Sequence, residues 1–550
     1  LNQKGIEKLY LHQALTLDLV KQGKNVVIVT PTASGKTLCY NLPVLNEIYN
    51  NPDARSLYLF PTKALSQDQV SELHELITLM GKDIKTYTYD GDTPVNARKA
   101  IRQAGHIVVT NPDMLHSGIM PHHTKWVKLF ENLKYVVIDE MHTYRGVFGS
   151  HMANVIRRLK RICRFYGSNP TFICCSATIA NPKELVQRII EEPVELVDKN
   201  GAPSGKKHLV FYNPPLVNKE LGIRRSSLLE TRKIAGQLVS NGIQSIIFAR
   251  SRLMVEVLVT YLKKLVNDKL GNSKEIRGYR GGYLPTERRQ IEKGLRNGDI
   301  MGVISTNALE LGIDIGSLEA AIICGYPGSI ASTWQQAGRA GRRHSTSMAI
   351  LVASSSPLDQ YIIQHSEYFL ESSPESGLIN PNNLYILLSH IKCAAFELPF
   401  EVGEQFGVET LEEILAFLEE QKVLRRVGNR WYWMTDNFPA NNISLRSASD
   451  ENFVIIDISK PEHRVIGETD SFSAPMLLHE EAIYIHEGNQ YQVEKLDFEE
   501  KKAYVRRVDV DYYTDANLAV DLKVLDVFEE QQEANGLTKA YGEVMVTAMV

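Results

Sequence analysis

Paired cysteines and long apolar runs are both missing from this 550-residue chain. Because no two of its cysteines are spaced as CxxC, neither a zinc site nor a disulfide framework is expected within these residues. A reducing cytosol suits such cysteine usage. No stretch approaches the roughly 18 uninterrupted apolar residues of a membrane span, so we expect no membrane partner. The cysteines are Cys39, Cys163, Cys174, Cys175, Cys324 and Cys393.

A strong excess of either charge is also missing, since the formal net charge is −4. This balance excludes a polybasic protein that coats nucleic acid, but it allows a locally basic groove. The 43% hydrophobic content is typical of globular proteins. A single core rarely extends beyond about 250 to 300 residues, so three or four domains are expected. Leu1 is not an initiator methionine and residues 541–550 are strand-like, so we expect both ends to be trimmed.

Short β-rich runs alternate with helical stretches in two series, which is typical of parallel sheets with helical crossovers. A stretch rich in Gly, Pro and Lys at 200–207 separates the two series. The expected strands are 26–30, 56–60, 106–110, 135–138 and 171–175 in the first series, and 245–249, 301–305, 320–324 and 349–353 in the second.

The pattern changes in the last third of the chain. Helices followed by a hairpin at 423–433, with a Gly428-Asn429 turn, predict a winged helix, and the strand-rich remainder predicts a small β barrel or sandwich. The fold class is therefore α/β, with two tandem α/β domains followed by a winged-helix domain and a small mostly-β domain. The expected boundaries are 1–198, 199–372, 373–440 and 441–550.

A phosphate-binding loop follows the first predicted strand. The segment from Thr30 to Thr37 ends in Gly-Lys-Thr and leads into a helix, as a P-loop requires. Lys36 would reach the β and γ phosphates and Thr37 would bind Mg²⁺. The usual first glycine is Thr30 here, and a Gly-Lys-Thr triplet alone also occurs by chance. The remaining predicted ATP-binding residues of the loop are Thr32, Ala33, Ser34 and Gly35.

Two further patterns complete a nucleotide site. Asp139 and Glu140 end an apolar strand, where Asp139 would hold Mg²⁺ and Glu140 would activate water, although such residues also cap helices. About 200 residues later, Arg339 and Arg342 would stabilise the transferred phosphoryl group, although a solvated basic loop looks similar. If the arginines act on the same nucleotide, closure of the two lobes completes the site.

In motif content and order the chain resembles superfamily 2 helicases. The resemblance covers the phosphate loop, the sequence Asp-Glu-Met-His at 139–142, Ser-Ala-Thr at 176–178 and the Gln-Gln-Ala-Gly-Arg-Ala-Gly-Arg segment from Gln335. It implies that the two α/β domains are RecA-like P-loop domains, that Gln13 reads adenine and that Asp314 belongs to the ATP site. It also implies that the site is coupled to nucleic acid by His142, Ser176, Thr178 and Gln335.

The histidine in Asp-Glu-Met-His is typical of DExH proteins and favours DNA over RNA. The segments 30–41, 139–151 and 279–285 resemble the Hrq-type, RecQ-four-like helicases, and within that group the bacterial mitomycin-repair helicases. This resemblance implies an ATP- and Mg²⁺-dependent 3′→5′ DNA helicase that acts in DNA repair. That family carries a zinc-binding C-terminal domain with four cysteines, so we expect the architecture to continue past Val550.

In such motors both lobes hold one strand mainly through its sugar-phosphate backbone. The resemblance implies single-stranded and forked DNA as partners, a monomeric motor in the bacterial cytosol that joins the nucleoid when acting, and possible cooperation with a repair nuclease. The predicted DNA contacts are Thr62, Lys63, Gln67 and Thr110 in the first lobe, and Arg250, Arg252, Ser305 and Thr306 in the second.

Several alternatives stay open. The basic helix at 154–164 is either a DNA track or, more commonly, a solvated face. Trp431 and Trp433 either stack on bases or pack in a core. The function itself has rivals, namely an RNA helicase, a duplex translocase of the same superfamily, and a nucleic-acid-binding scaffold without ATPase activity.

Overall fold

The structure is a computed structural model that describes residues 1, 4–31, 34–91, 93–177, 179–203, 205–270, 275–311, 315, 318–341, 346–446, 452–532 and 536–550. Residues 1–280 with 290–448 form one compact unit, and residues 281–289 with 449–550 form a second. Within the described ranges, none of the helices combines the length and apolar character that a membrane crossing requires.

The first lobe is a parallel sheet covered by helices, as the alternating pattern predicts. The order is β3-β4-β2-β5-β6-β1-β7. The central strands are apolar and buried on both faces, which is the pattern of a sheet covered on each side. The strands are β1 (Val26–Val29), β2 (Arg55–Leu59), β3 (Thr86–Thr88), β4 (Ile107–Thr110), β5 (Leu133–Ile138), β6 (Thr171–Ser176) and β7 (Glu195–Val197); the helices are α1 (Leu11–Lys21), α2 (Lys36–Asn50), α3 (Lys63–Met80), α4 (Val95–Ala104), α5 (Pro112–Met114), α6 (Val127–Glu131), α7 (Gly146–Phe165) and α8 (Pro182–Ile190).

The second lobe repeats this plan with the parallel order β12-β13-β11-β14-β15-β8. Its edge strand β8 begins at Lys207, the last residue of the segment interpreted as a linker. A short β9–β10 hairpin lies outside that sheet. The strands are β8 (Lys207–Tyr212), β9 (Leu216–Asn218), β10 (Ile223–Arg224), β11 (Ser245–Ala249), β12 (Glu275–Tyr279), β13 (Ile300–Ser305), β14 (Ala320–Cys324) and β15 (Ser347–Val352); the helices are α9 (Ser227–Ser240), α10 (Arg252–Leu270), α11 (Pro285–Asn297), α12 (Ile330–Ala337), α13 (Pro357–Gln364) and α14 (Ser366–Glu371).

The winged helix is confirmed. Its elements are α15 (Leu384–Glu397), β16 (Phe400–Glu401), α16 (Leu411–Glu420), β17 (Leu424–Val427) and β18 (Arg430–Trp433), and the sheet order is β16-β18-β17. Trp431 is 2% exposed within the core of this domain. Trp433 packs edge-on against Phe396 with ring centroids 6.1 Å apart. Core packing is therefore the role that the structure supports for both tryptophans.

The second unit is mostly β, but the expected barrel or sandwich is wrong. One mixed sheet has the order β20-β19-β23-β22-β21, in which β19 and β23 are parallel, and β24 pairs separately with β25. Strand-rich sequence fixes the strand content, whereas closure depends on pairings far apart in the chain. The elements are β19 (Asn452–Asp457), β20 (Arg464–Asp470), α17 (Ser473–Leu478), β21 (Ile483–His486), β22 (Asn489–Asp497), β23 (Lys502–Val508), β24 (Ala519–Gln532) and β25 (Thr538–Met549).

The basic run in α7 is neither a DNA track nor a solvated face, because Arg157, Arg158 and Arg161 are buried against the winged helix and nearby loops, while Arg164 is exposed. Arg158 is fully buried and pairs with Glu397 of α15. Arg161 pairs with Glu404 at 2.5 Å and donates to backbone oxygens at the end of α15. The run therefore holds the winged helix on the first lobe.

Two histidines, His116 and His390, contact the Arg158 guanidinium, and a third, His151, contacts His390. Nη1 of Arg158 donates to Nδ1 of His116 at 2.6 Å, while Nε2 of His116 lies 3.2 Å from the Ala440 carbonyl. His390 contacts both Arg158 and His151. Burial lowers the pKa of His116 to about 2, and it also lowers the pKa of His390 well below its ordinary value. A proton on either ring would add a buried positive charge beside Arg158.

Removing the Arg158 charge should weaken the joint between the first lobe and the winged helix. Arg158→Ala leaves the Glu397 carboxylate buried without its partner, a loss of about 3–5 kcal/mol for such pairs. Urea unfolding followed by tryptophan fluorescence measures the shift. Arg164→Ala, at an exposed position of the same helix, is the control. Equal midpoints for the two variants would contradict the role assigned to Arg158.

The same cluster predicts a loss of stability in acid. The pKa of His116 rises from about 2 in the fold to about 6.5 in the unfolded chain, so only the unfolded chain takes up a proton between these values. The protonation of His116 therefore does not lower the free energy of unfolding above pH 6.5, and it lowers this free energy progressively as the pH falls below 6.5. Between pH 7.5 and pH 5.5, the thermal unfolding temperature should decrease less for His116→Gln than for the original chain. His463→Gln, at an exposed position, should show the full loss.

Candidate nucleotide site

The phosphate loop joins β1 to α2 and lies at the carboxyl end of the first sheet. Gly35 has φ +82°, and a Cβ there would meet Nε2 of Gln13 at 2.9 Å, so this position requires glycine. Ser34 and Thr30 share a hydroxyl hydrogen bond of 2.7 Å. The Lys36 ammonium donates to the carbonyl oxygens of Thr30 at 2.6 Å and Pro31 at 3.0 Å. The lysine therefore lies within the curve of the loop, where phosphate oxygens can replace its carbonyl partners.

Helix α1 packs on this loop through two side chains. Nε2 of Gln13 donates to the Gly35 carbonyl at 3.0 Å, and Oε1 of Gln13 accepts from the Tyr10 backbone. His12 Nε2 lies 3.1 Å from the Ser34 carbonyl. Gln13 is thus fixed against the phosphate loop, and its predicted reading of adenine stays a prediction.

The two carboxylates of the second motif follow β5, one strand away from β6 and two from β1. The Asp139 carboxylate accepts from the Glu140 backbone at 2.8 Å and from the Tyr40 hydroxyl at 3.4 Å. Burial, with the neighbouring Glu140 charge, raises the pKa of Asp139 to about 7. A divalent cation would favour the charged carboxylate. Glu140 is in the left-handed region at φ 54°, ψ 46°, a conformation that costs energy for a non-glycine residue and sets where its side chain points.

Of the predicted coupling residues, His142 lies beside the Glu140 carboxylate. Nδ1 of His142 accepts from the Ala177 backbone at 3.3 Å and lies 3.5 Å from Glu140. Burial lowers the pKa of His142, which disfavours a charged ring beside Glu140. Within the described residues, three buried polar atoms here have no hydrogen-bond partner: Nε2 of His142, Oγ of Ser176 and Nε2 of Gln335. Such atoms fit the oxygens of a nucleotide or water.

In the second lobe, Arg339 follows α12 and is held by Glu310. The Arg339 guanidinium donates to the Glu310 carbonyl at 2.7 Å. The Glu310 carboxylate accepts from Ser332 at 2.7 Å and from Gln336 at 3.0 Å. Burial raises the pKa of Glu310 above its ordinary value. The position of Arg339 is therefore set by the loop after β13 and by α12 together.

A cavity of about 660 Å³ extends between the two lobes. Its walls carry the histidine of the second motif and the residues that hold Arg339. The first lobe contributes His142, Thr143, Arg145 and Ile179, while Arg250, Glu310, Gln335, Gln336 and others come from the second lobe and Glu375 from the segment after it. The structure thus brings residues from both predicted halves of the site into one cleft.

The predicted DNA contacts differ in accessibility. Lys63 and Arg250 are exposed, and Arg250 pairs with Asp359 at 2.5 Å. Thr110 and Ser305 are fully buried. The Thr110 hydroxyl donates to the Tyr89 carbonyl at 2.6 Å, an arrangement that supports its strand end rather than a phosphate contact.

The remaining predicted residues lie at helix starts, in half-buried positions or outside the described residues. Thr62 caps α3 by accepting from the Leu65 backbone. Thr37 is the second residue of α2, and Gln67, Arg252 and Thr306 are half-buried. The predicted residues Thr32, Ala33, Thr178, Asp314 and Arg342 lie outside the described residues.

Sequence reasoning missed Arg446, which follows the winged helix. Its guanidinium donates to Asp113 at 3.0 Å and to the Pro61 carbonyl at 2.5 Å, and it lies 4.5 Å over the Phe148 ring. Arg446 thus joins the loops after β2 and β4, where DNA contacts were predicted. A lone arginine more than 300 residues from both loops gives no local signal.

Models of known families match most of the chain. A DEAD/DEAH box helicase domain matches residues 10–185, a helicase conserved C-terminal domain matches 230–344, and the winged helix domain of ATP-dependent helicase HRQ1 matches 379–448. The uncharacterized ATP-dependent helicase YprA of Bacillus subtilis (strain 168) is 62% identical over all 550 residues, which cover 73% of YprA. The chain belongs to the YprA/HRQ1 family of ATP-dependent helicases. This confirms the family that the motifs predicted.

Other members of the family agree. ATP-dependent helicase HRQ1 of Saccharomyces cerevisiae is 37% identical over 560 residues, covering 99% of this chain and 52% of that relative. A crystal structure of the DUF1998 helicase MrfA bound to DNA matches with a TM-score of 0.91 at 62% identity, over 99% of this chain and 73% of MrfA. A structure of MrfA bound to DNA and AMPPNP gives 0.90 at 64% identity, over 95% of this chain and 73% of MrfA. The chain therefore spans about half of HRQ1 and nearly three quarters of YprA and MrfA.

For a helicase of this family, the geometry predicts that a change at Glu140 slows ATP hydrolysis without preventing ATP binding. Glu140→Gln keeps the shape of the side chain but removes the base, so the hydrolysis rate should fall by about 10²- to 10⁴-fold while ATP still binds. Phosphate release and fluorescent-nucleotide binding measure the two steps. Glu131→Gln, at an exposed position in α6, is the control. An unchanged rate in Glu140→Gln would contradict the assignment.

Proposed function

We propose that this chain is an ATP-dependent DNA helicase and translocase that moves 3′→5′ along single-stranded DNA. The observation that carries the proposal is the division of the nucleotide site, since Lys36 and Glu140 belong to one lobe and Arg339 to the other. A site divided in this way is complete only when the lobes approach, so hydrolysis can drive relative movement of the lobes.

The donor set fits Mg-ATP. The phosphate loop with Lys36 would hold the phosphates, and the Thr37 hydroxyl with Asp139 would hold Mg²⁺, which usually binds proteins through one or two carboxylates and phosphate oxygens. When bound, Mg²⁺ neutralises charge on the phosphates. Glu140 orients and deprotonates the attacking water, while Arg339 and the predicted Arg342 stabilise charge on the transferred group.

DNA as the substrate is supported by the relatives and by the second motif. MrfA, at 62% and 64% identity, has been crystallised bound to DNA. The exposed Lys63 and Arg250 are suited to phosphates, and such contacts give binding that is independent of sequence and weakened by salt. The 3′→5′ direction and a role in repairing mitomycin-type lesions rest on the family resemblance, as do a monomeric motor and a repair-nuclease partner.

Strand displacement on tailed duplexes tests substrate and direction together. We expect unwinding of a DNA duplex with a 3′ single-stranded tail, and little unwinding of the matched 5′-tailed duplex or of the RNA equivalents. ATP hydrolysis should rise when single-stranded DNA is added. Lys36→Ala should abolish both activities, because the phosphates lose their main cationic partner.

Each rival function gives a different result in this assay. Equal displacement of RNA strands would favour an RNA helicase, and movement on blunt duplex without displacement would favour a duplex translocase. Preference for the 5′ tail would overturn the direction. No hydrolysis in the presence of Mg²⁺ and DNA would leave a scaffold without ATPase activity.

A further inference from the structure

A segment after the second lobe, residues 375–382, lies along the first lobe on its way to the winged helix, and we name it the strap. Gly377 exchanges two hydrogen bonds with the Asn181 side chain, at 2.7 and 3.1 Å. The Leu378 carbonyl accepts from the Gly146 backbone at 2.7 Å. Ile379 is 6% exposed and belongs to the core of the first lobe. The strap is therefore bound to the first lobe through backbone hydrogen bonds and through side-chain packing.

Further bonds continue this attachment along α7. The Asn380 backbone donates to the Ser150 hydroxyl at 2.9 Å, and Nδ2 of Asn154 donates to the Pro381 carbonyl at 2.8 Å. A Cβ on Gly377 would meet Leu185 at 2.7 Å, so the strap lies close against the lobe. The strap should therefore move with the first lobe.

The first residue of the strap, Glu375, reaches into the second lobe. Its carboxylate accepts from the backbone N–H groups of Ile330 at 2.6 Å and Ala331 at 3.1 Å, which open α12. The Glu375 carbonyl accepts from the Ala180 backbone of the first lobe at 3.3 Å. One residue thus contacts both lobes.

The helix that Glu375 caps carries the second lobe's part of the nucleotide site. Gln335 and Gln336 lie on α12, and Arg339 follows it two residues after its end. The Ser329 hydroxyl accepts from the Ser332 backbone at this helix start. Glu375 satisfies the two N–H groups before Ser332 and adds negative charge at the positive end of the helix dipole. The position of α12 therefore depends on a residue attached to the first lobe.

We propose that Glu375 is a positioning residue, which sets where α12 and Arg339 stand relative to the first lobe as ATP is hydrolysed. The inference rests on the proposed motor function and adds a named link between the lobes. Ala180 lies two residues after the Ser-Ala-Thr motif at 176–178, so Glu375 joins the segment predicted to couple the nucleotide site to the helix that precedes Arg339. Loss of this link should slow hydrolysis without weakening ATP binding, because the phosphate loop is untouched.

Steady-state kinetics of the chain with single-stranded DNA test this role. Glu375→Ala should lower kcat for DNA-stimulated hydrolysis by about tenfold, which corresponds to the loss of one helix cap and its charge, while KM for ATP stays within about twofold. Glu375→Gln keeps one acceptor oxygen and should fall between this variant and the original chain. The base pairs displaced per ATP should also decrease. Glu371→Ala, at the exposed end of α14, should behave as the original chain does.

The outcomes separate this inference from the proposed function. If the original chain is active and both Glu375 variants keep its kcat and its base pairs per ATP, the positioning role is wrong. It is also wrong if KM for ATP rises while kcat is unchanged. If Glu375→Ala does not fold, as shown by its thermal unfolding, Glu375→Gln decides. If the original chain itself shows no DNA-stimulated hydrolysis, the proposed function fails instead.

Discussion

The adjacency of β1, β6 and β5 in a parallel sheet is the constraint on which the rest of the site depends. β1 pairs with β6 and β6 with β5, so their carboxyl ends lie side by side. Lys36 after β1 is thereby brought to the same edge as two residues more than 100 positions further along the chain, Asp139 after β5 and Ser176 at the end of β6. Hydrophobic burial on both faces stabilises the strand order, and the strand order places the chemistry.

The second lobe differs, because its predicted catalytic residue, Arg339, would act on a nucleotide whose phosphates are held by the first lobe. Arg339 donates to the Glu310 carbonyl while the Glu310 carboxylate accepts from two side chains of α12. The same helix is capped by Glu375, which also contacts the first lobe. Because hydrogen bonds connect α12, Glu310 and Arg339, these three parts can move together as one unit.

Much of this arrangement could be predicted from the sequence because its signals are local. Apolar runs gave the central strands of both lobes, and the Gly428-Asn429 turn gave the wing. Short or half-exposed edge strands such as β3, β7 and β8 were missed, since three to six residues with mixed polarity carry little periodicity. Glu310, Glu375 and Arg446 were missed for another reason. Each acts through a partner between 22 and 385 residues away along the chain.

The basic run of α7 shows why charge patterns mislead when burial is unknown. Arg157, Arg158 and Arg161 occupy one side of the helix, and each meets a carboxylate or carbonyl of the segment that leads into or through the winged helix. The winged helix and strap are therefore bonded to the first lobe along nearly the whole of α7. Buried charge pairs and core packing hold the first lobe, the strap and the winged helix together. We therefore expect the second lobe to be the part that moves during hydrolysis. Glu375 connects the second lobe to the first through three hydrogen bonds, which rearrange far more easily than buried ion pairs.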